Sequence, residues 1–294
     1  MSIGELLKTE RKKVNISTLV AKKKKDEKAV FITAYDYPFS YLADQAGIDM
    51  ILIGDSLGMT TLGHETTLPV TMEDMIRHSQ AVKRGSKYAF LIGDMPFMSY
   101  QPSDRDAILN AGRFISEAGC DAVKLEGGRR VKDRVRAIVD AGIIVMGHLG
   151  LTPQNAAQMG GFRVQGKTVD QFEELLQDAL ALQEAGAALL LLEALPSEVA
   201  SLIRARLSIP VYGIGAGGHV DGQLLIIHDL LGLFHRFTPK FVKKYASLGD
   251  DALQALQEYV SDVRSKKFPS PEHDYEINSE ALEQIRLRAG RPCG

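Results

Sequence analysis

Short apolar runs alternate with amphipathic stretches along most of this chain. The apolar runs fall at residues 29–35, 50–54, 88–93, 122–126, 143–147, 188–192, 210–214 and 224–228. They are β-rich and apolar at successive positions, as strands covered on both faces of a parallel sheet must be. Between them, residues 72–84, 103–118, 129–141, 169–185 and 197–207 carry helical patterning. Gly47, Gly85, Gly119, Gly142 and Gly186 stand at the ends of such stretches, where a left-handed residue closes a helix. Repeated strand–helix units predict a parallel sheet with right-handed crossovers. About eight strands favour an α/β fold of the (β/α)8 TIM-barrel kind over an open doubly wound sheet. One joint is short: residues 215–223, between the last two runs, are fewer than the dozen or so a crossover normally takes. Either that connection is minimal or the eighth strand lies elsewhere.

This pattern predicts a helical N-terminal extension over residues 1–28, a barrel over 29–266 and a C-terminal tail over 267–294. Four lysines at 22–25 read as a solvated helix face rather than a phosphate contact. Composition narrows the class. With 45% apolar and 24% charged residues the chain is globular, not disordered. Thirty-five basic against 37 acidic side chains leave a formal charge of −2, so nothing global attracts nucleic acid or an anionic membrane. No apolar run approaches the roughly 18 residues of a membrane span, and the first 14 residues read as no signal peptide. Two cysteines, Cys120 and Cys293, exclude a disulfide scaffold and fit a cytoplasmic location.

Polar residues gather at the C-terminal ends of the apolar runs, where barrel enzymes place their active sites. Asp55 and Ser56 follow the second run, Asp94 the third, His148 the fifth and Glu193 the sixth; Glu126 closes the fourth. A single acid there could simply cap a helix. Asp94 and Glu193, however, precede Met95-Pro96-Phe97 and Ala194-Leu195-Pro196 rather than a helix start. Lys124 and Glu126 are two apart, so they share a strand face. That is either a buried ion pair or part of a cation site beside a substrate anion. Carboxylate oxygens without a nearby thiolate suit Mg²⁺, and no histidine pair has zinc spacing. The glycines from Gly213 to Gly218 could hold a phosphate or merely turn tightly. No Walker lysine or GxSxG motif is present.

Taken with their neighbours, these residues are recognisable. The blocks are Thr33-Ala34-Tyr35-Asp36, Gly54-Asp55-Ser56-Leu57-Gly58-Met59, Asp94-Met95-Pro96-Phe97 and Lys124-Leu125-Glu126-Gly127-Gly128. Then come Gly147-His148-Leu149-Gly150-Leu151-Thr152-Pro153-Gln154, Val164-Gln165-Gly166, Leu192-Glu193 and Gly213-Ile214-Gly215-Ala216-Gly217. Asp221-Gly222-Gln223 and Pro239-Lys240-Phe241 complete an ordered set over residues 15–265. In them the chain resembles the ketopantoate hydroxymethyltransferase family.

The resemblance implies a barrel of the phosphoenolpyruvate/pyruvate-binding type. It implies transfer of a hydroxymethyl group from 5,10-methylenetetrahydrofolate to 2-oxoisovalerate, giving ketopantoate for pantothenate biosynthesis through a Mg²⁺-stabilised enolate. It further implies a homo-oligomer, a decamer. Carried over by motif, Asp55, Asp94 and Glu126 serve the metal. Asp55, Ser56, Asp94 and Lys124 contact the keto acid, and Glu193 accepts the proton. The chain departs from the family pattern at Ala194, where a cysteine is frequent, and over residues 231–238. A lyase or mutase of the same superfamily is the alternative, but its Lys-Lys/Arg-Cys-Gly-His motif is missing, since Asp121 follows Cys120. A non-catalytic metabolite-binding barrel would leave the acids without a metal.

Overall fold

The computed structural model describes residues 11–290. In chain order, the elements begin with α1 (Ile16–Lys24), β1 (Ala29–Thr33), α2 (Tyr37–Gln45), β2 (Met50–Ile53), α3 (Leu57–Thr60) and α4 (Met72–Gly85). They continue with β3 (Phe90–Asp94), α5 (Asp104–Ser116), β4 (Ala122–Glu126), α6 (Lys132–Asp140), β5 (Val145–Gly150) and α7 (Val169–Glu184). Last come β6 (Leu189–Glu193), α8 (Ser197–Arg206), β7 (Val211–Ile214), β8 (Gly222–Leu225), α9 (Ile227–Leu230), α10 (Leu248–Arg264) and α11 (Ser279–Ala289). The eight strands form a closed parallel barrel in sequence order, with β8 paired back to β1.

The alternation of each strand divides the core. Phe31, Met50, Leu52, Phe90, Ile92, Ala122, Met146, Leu189, Leu191, Tyr212, Ile214 and Leu224 point inward and fill the barrel. The intervening positions, such as Ile51, Leu91, Val123, Leu125, Val145 and Leu190, pack outward beneath the helices. Both faces are therefore dry, which is why the strands read as continuous apolar runs. The N-terminal end of the barrel is plugged by α1, whose Leu19 is fully buried against the inner cluster. Burying that side chain contributes about 1.5–3 kcal/mol.

Two local expectations change. Lys22 and Lys23 are not a solvated face: Lys22 reaches Glu27 and Asp49, and Lys23 lies 2.9 Å from the buried Asp221. They tie α1 to the barrel floor. The eighth strand begins two residues earlier than predicted and stops at Leu225. The connection before it is also minimal, with no helix between Ile214 and Gly222. Residues 226–228 are apolar because Ile227 packs into the outer core from α9, and a short buried helical turn has the same hydrophobic signature as a strand. Of the predicted closing glycines, Gly47, Gly119, Gly142 and Gly186 have positive φ. Gly85 instead ends α4 where a Cβ would lie 2.7 Å from the Tyr37 carbonyl, so close packing of α4 on α2 demands it.

A break in packing falls between Ala246 and Ser247, and α10 and α11 lie in the second unit. Among the described residues, no helix is long and apolar enough to cross a membrane.

Candidate active site

The inward positions at the C-terminal end of the barrel are polar. Continuing the alternation from Ile92, Ala122, Met146 and Leu191, the next inward residues are Asp94, Lys124 then Glu126, His148 and Glu193. Strand register sets their neighbours: Asp94 pairs with Lys124, and Glu126 with His148. Asp55, Ser56, Asp94, Lys124, Glu126, His148 and Glu193 all line one cavity of about 70 Å³. Every site residue predicted from the sequence is thus in one place, together with His148.

Neither Asp55 nor Asp94 caps a helix. The Asp55 N–H donates to Asp94 Oδ2 at 3.0 Å, and Asp55 Oδ2 accepts from Gln154 Nε2 at 2.9 Å. Lys124 Nζ lies 2.9 Å from Asp94 Oδ1, 3.4 Å from Glu126 Oε1 and 3.1 Å from His148 Nδ1. The other Glu126 oxygen accepts the Gln154 N–H at 3.0 Å. On the opposite wall, His148 Nε2 lies 3.2 Å from Glu193 Oε2, near enough for a charge–dipole attraction though not aligned as a full hydrogen bond.

Three buried carboxylates thus face one buried ammonium. Burial pushes Asp55 and Glu126 above the usual carboxylate range and Asp94 well above it, and Lys124 offsets only part of this. Burial alone would lower Lys124, but Asp94, Glu126 and Asp55 hold it far above its ordinary value. His148 is pushed down by burial and by the Lys124 charge, so it is neutral at pH 7. Its Nδ1 then accepts from the ammonium, which puts the ring proton on Nε2, facing Glu193.

Ser56 is aimed by a relay. The Ile227 N–H donates to Thr33 Oγ1, and the Thr33 hydroxyl donates to Tyr35 Oη. The Tyr35 proton is left for Ser56 Oγ, 2.8 Å away, and the Ser56 hydroxyl proton stays available to a ligand. Glu193 is held by its backbone. Gly150 has φ +90, and a Cβ there would lie 2.2 Å from the Glu193 carbonyl oxygen. That close approach lets the Leu151 N–H donate to the same oxygen at 2.9 Å. The chain then turns through Ala194 at φ 51, whose N–H donates to Ile214.

Sequence reasoning missed Gln154 and Tyr100. The Tyr100 hydroxyl accepts the Glu126 N–H and lies 3.0 Å from Gln154 Oε1, fixing the amide so that Nε2 faces Asp55. Gln154 stood inside a quoted motif but carries no charge to mark it; Tyr100 gave no signal. The glycines after β7 admit close packing instead. A Cβ at Gly215 or Gly217 would lie 2.5 Å from Phe241 or 2.1 Å from Ser197.

Among the described residues, no three acidic, histidine or cysteine groups stand as a ready metal cage. Lys124 sits in their midst. The donor set nevertheless fits Mg²⁺, which is usually held by one or two carboxylates plus water and substrate oxygens. Asp94 Oδ1 is buried without an aligned hydrogen-bond donor, and the three acids carry more negative charge than Lys124 can balance.

The ketopantoate hydroxymethyltransferase family model matches residues 13–271. The 3-methyl-2-oxobutanoate hydroxymethyltransferase of Alkaliphilus metalliredigens is 56% identical over 90% of this chain and 94% of its own length. That of Moorella thermoacetica is 55% identical, over 90% and 99% respectively. Among solved structures, a phosphonopyruvate hydrolase with oxalate and Mg²⁺ aligns over 94% of this chain and 97% of its own, with TM-score 0.59 and 14% identity. A 2,3-dimethylmalate lyase of the PEP mutase/isocitrate lyase superfamily aligns over 93% and 97%, with TM-score 0.57 and 17% identity. The solved structures share the barrel alone; by the sequence matches, the chain belongs to the ketopantoate hydroxymethyltransferase family.

Proposed function

We propose that this chain transfers a hydroxymethyl group from 5,10-methylenetetrahydrofolate to 2-oxoisovalerate, giving ketopantoate. The observation that carries the residue roles is that one cavity holds Asp55, Asp94 and Lys124 together with Glu193. Asp55 and Asp94 would hold a divalent cation, Mg²⁺. Glu126, with Oε1 facing Lys124 and Oε2 accepting the Gln154 N–H, would support it from behind. Bound there, the cation would draw electron density from the ketone and carboxylate oxygens of the keto acid.

The chain's own residues do the rest. Lys124 and the Ser56 hydroxyl bind the substrate carboxylate, and Asp55 and Asp94 orient the dicarbonyl end. Glu193 takes the proton from C3 as general base. His148, neutral, keeps Nε2 3.2 Å from that carboxylate and steadies it by its dipole. The C3 carbanion, delocalised onto the ketone oxygen, forms the new carbon–carbon bond to the one-carbon unit as that unit's bond to N10 breaks. Water then replaces N5 on the same carbon, and tetrahydrofolate leaves with its two nitrogens protonated, one proton coming from C3 by way of Glu193 and the other from the water.

The homo-oligomer is supported by α10, which carries Leu253, Leu256, Val260 and Val263 exposed on its surface. A cytoplasmic location is supported by Cys120, buried and free. Two assays test the reaction. Ketopantoate formation should need both substrates, stop on chelation and return with Mg²⁺. In heavy water without folate, NMR should show loss of the C3 proton signal of 2-oxoisovalerate. Full turnover by metal-free protein would refute the metal assignment; no ketopantoate under any condition would refute the reaction.

A further inference from the structure

A second cavity adjoins the polar one. It measures about 390 Å³ and shares Ser56, Pro153, Glu193, Ile214 and Ile226 with it. The polar cavity, about 70 Å³, has room for only the reacting end of a small acid. The larger one falls in the range of about 300–1,000 Å³ typical of small-molecule sites. Phe162, Phe234, Phe237 and Phe241 make its walls mostly apolar.

One acid besides Glu193 stands in those walls. Asp229, carried on α9, is only 5% exposed. Among the described residues, no donor hydrogen-bonds its carboxylate; its main-chain carbonyl, by contrast, accepts the Gly232 N–H. Burial pushes its carboxyl up to about 6, and Lys244 offsets this only in part. A largely buried carboxylate that no protein donor pairs, set in the wall of a chamber, is open to a ligand that brings donors of its own. Asp229 lines only the larger chamber, whereas Glu193 lines both.

We infer that this chamber receives the one-carbon donor and that Asp229 recognises the 2-amino and N3 edge of its reduced pteridine. The inference rests on the reaction proposed above. That edge presents two parallel N–H donors, a match for the two oxygens of a carboxylate, as in bidentate guanidinium pairs. The flat ring body suits the phenylalanine walls. The one-carbon bridge between N5 and N10 lies on the far side of the bicyclic ring from the 2-amino group. Anchoring at Asp229 therefore turns the bridge toward the wall shared with the polar cavity, where the C3 carbanion forms.

The test compares two donors, 5,10-methylenetetrahydrofolate and its 2-desamino analogue. With wild-type protein, loss of the amino group should raise the donor KM by about ten- to a hundredfold. Asp229→Asn should raise the KM of the natural donor by a similar factor and lose most of the discrimination between the two. Equal KM values for both donors in wild-type protein would overturn the assignment, and that comparison stands even if the variant fails to fold. So would full discrimination retained by Asp229→Asn. If wild-type protein neither exchanges the C3 proton nor makes ketopantoate, the reaction itself fails and this inference with it. If it does both yet ignores the 2-amino group, only the role of Asp229 fails.

Discussion

Lys124→Met removes the ammonium that three buried carboxylates share while keeping an apolar stem of similar length. Its Nζ is 2.9 Å from Asp94 and 3.4 Å from Glu126. Deleting one partner of a buried ion pair costs about 3–5 kcal/mol, because the remaining charge is left without compensation. At roughly 2–4 °C per kcal/mol for a domain of this size, Tm should fall by roughly 6–20 °C. The loss should depend on pH. A carboxylate raised in the folded state favours folding below its unfolded value, near 4, and disfavours it as pH climbs through the raised value. Without Lys124 that rise is larger, so the deficit should be small near pH 5 and grow toward pH 8. Mg²⁺ should return part of the lost Tm and shift the variant more than wild type. Lost contact with the substrate carboxylate, at about 1.5–3 kcal/mol, should also raise the keto-acid KM about ten- to a hundredfold. Melts at both pH values, with chelator and with Mg²⁺, and a keto-acid titration would settle the matter. A wild-type Tm at pH 8 in chelator would refute the charge-balance argument. A destabilised variant with normal keto-acid affinity would reduce Lys124 to a structural ion.

Glu193→Gln should keep the cavity but lower turnover by about 10²–10⁴-fold, with C3 deuterium exchange slowed alike. Exchange at the wild-type rate would move the base elsewhere. Gln154→Leu removes the donor that orients Asp55 Oδ2, so Mg²⁺ affinity, read from metal-dependent Tm shifts, should fall about 10–100-fold. Asp44→Asn tests a site away from the chemistry. Burial works against the Asp44 charge, but the N–H groups of Lys87, Tyr88 and Ala89 and the Ser86 hydroxyl hold its carboxyl below the usual range. The variant should lose about 1.5–3 kcal/mol from pH 5 to 8, with the difference fading as pH falls below about 4. Turnover at low temperature should not change.

The barrel was legible because burial on both faces writes each parallel strand as an apolar run, and polar residues at inward positions then mark one end. Asp94, Lys124, Glu126 and Glu193 were visible for that reason. The misplaced eighth strand has a physical cause: Ile227 in a buried helical turn is as apolar as a strand residue. Gln154 and Tyr100 act through hydrogen bonds set by tertiary packing, and no local pattern encodes those. Asp229 looked like any acid in an apolar stretch. Only the fold shows that it faces an aromatic chamber without a donor.

With Glu193 as base and a cation at Asp55 and Asp94, the roles proposed above, the arrangement also accounts for how the two share so small a cavity. A carboxylate base beside two metal-binding carboxylates would gain a proton too readily, because like charges at close range cannot all stay ionised. Here Lys124 and His148 stand between the two groups. Lys124 contacts Asp94, and His148 contacts both Lys124 and Glu193. A neutral imidazole places no net charge between them: its Nδ1 accepts from the ammonium, and its Nε2 lies 3.2 Å from Glu193. Were His148 protonated, it would repel Lys124 and form an ion pair with Glu193. Burial and the Lys124 charge both push His148 away from that state. The same ammonium that faces the three acids therefore helps to keep the histidine neutral.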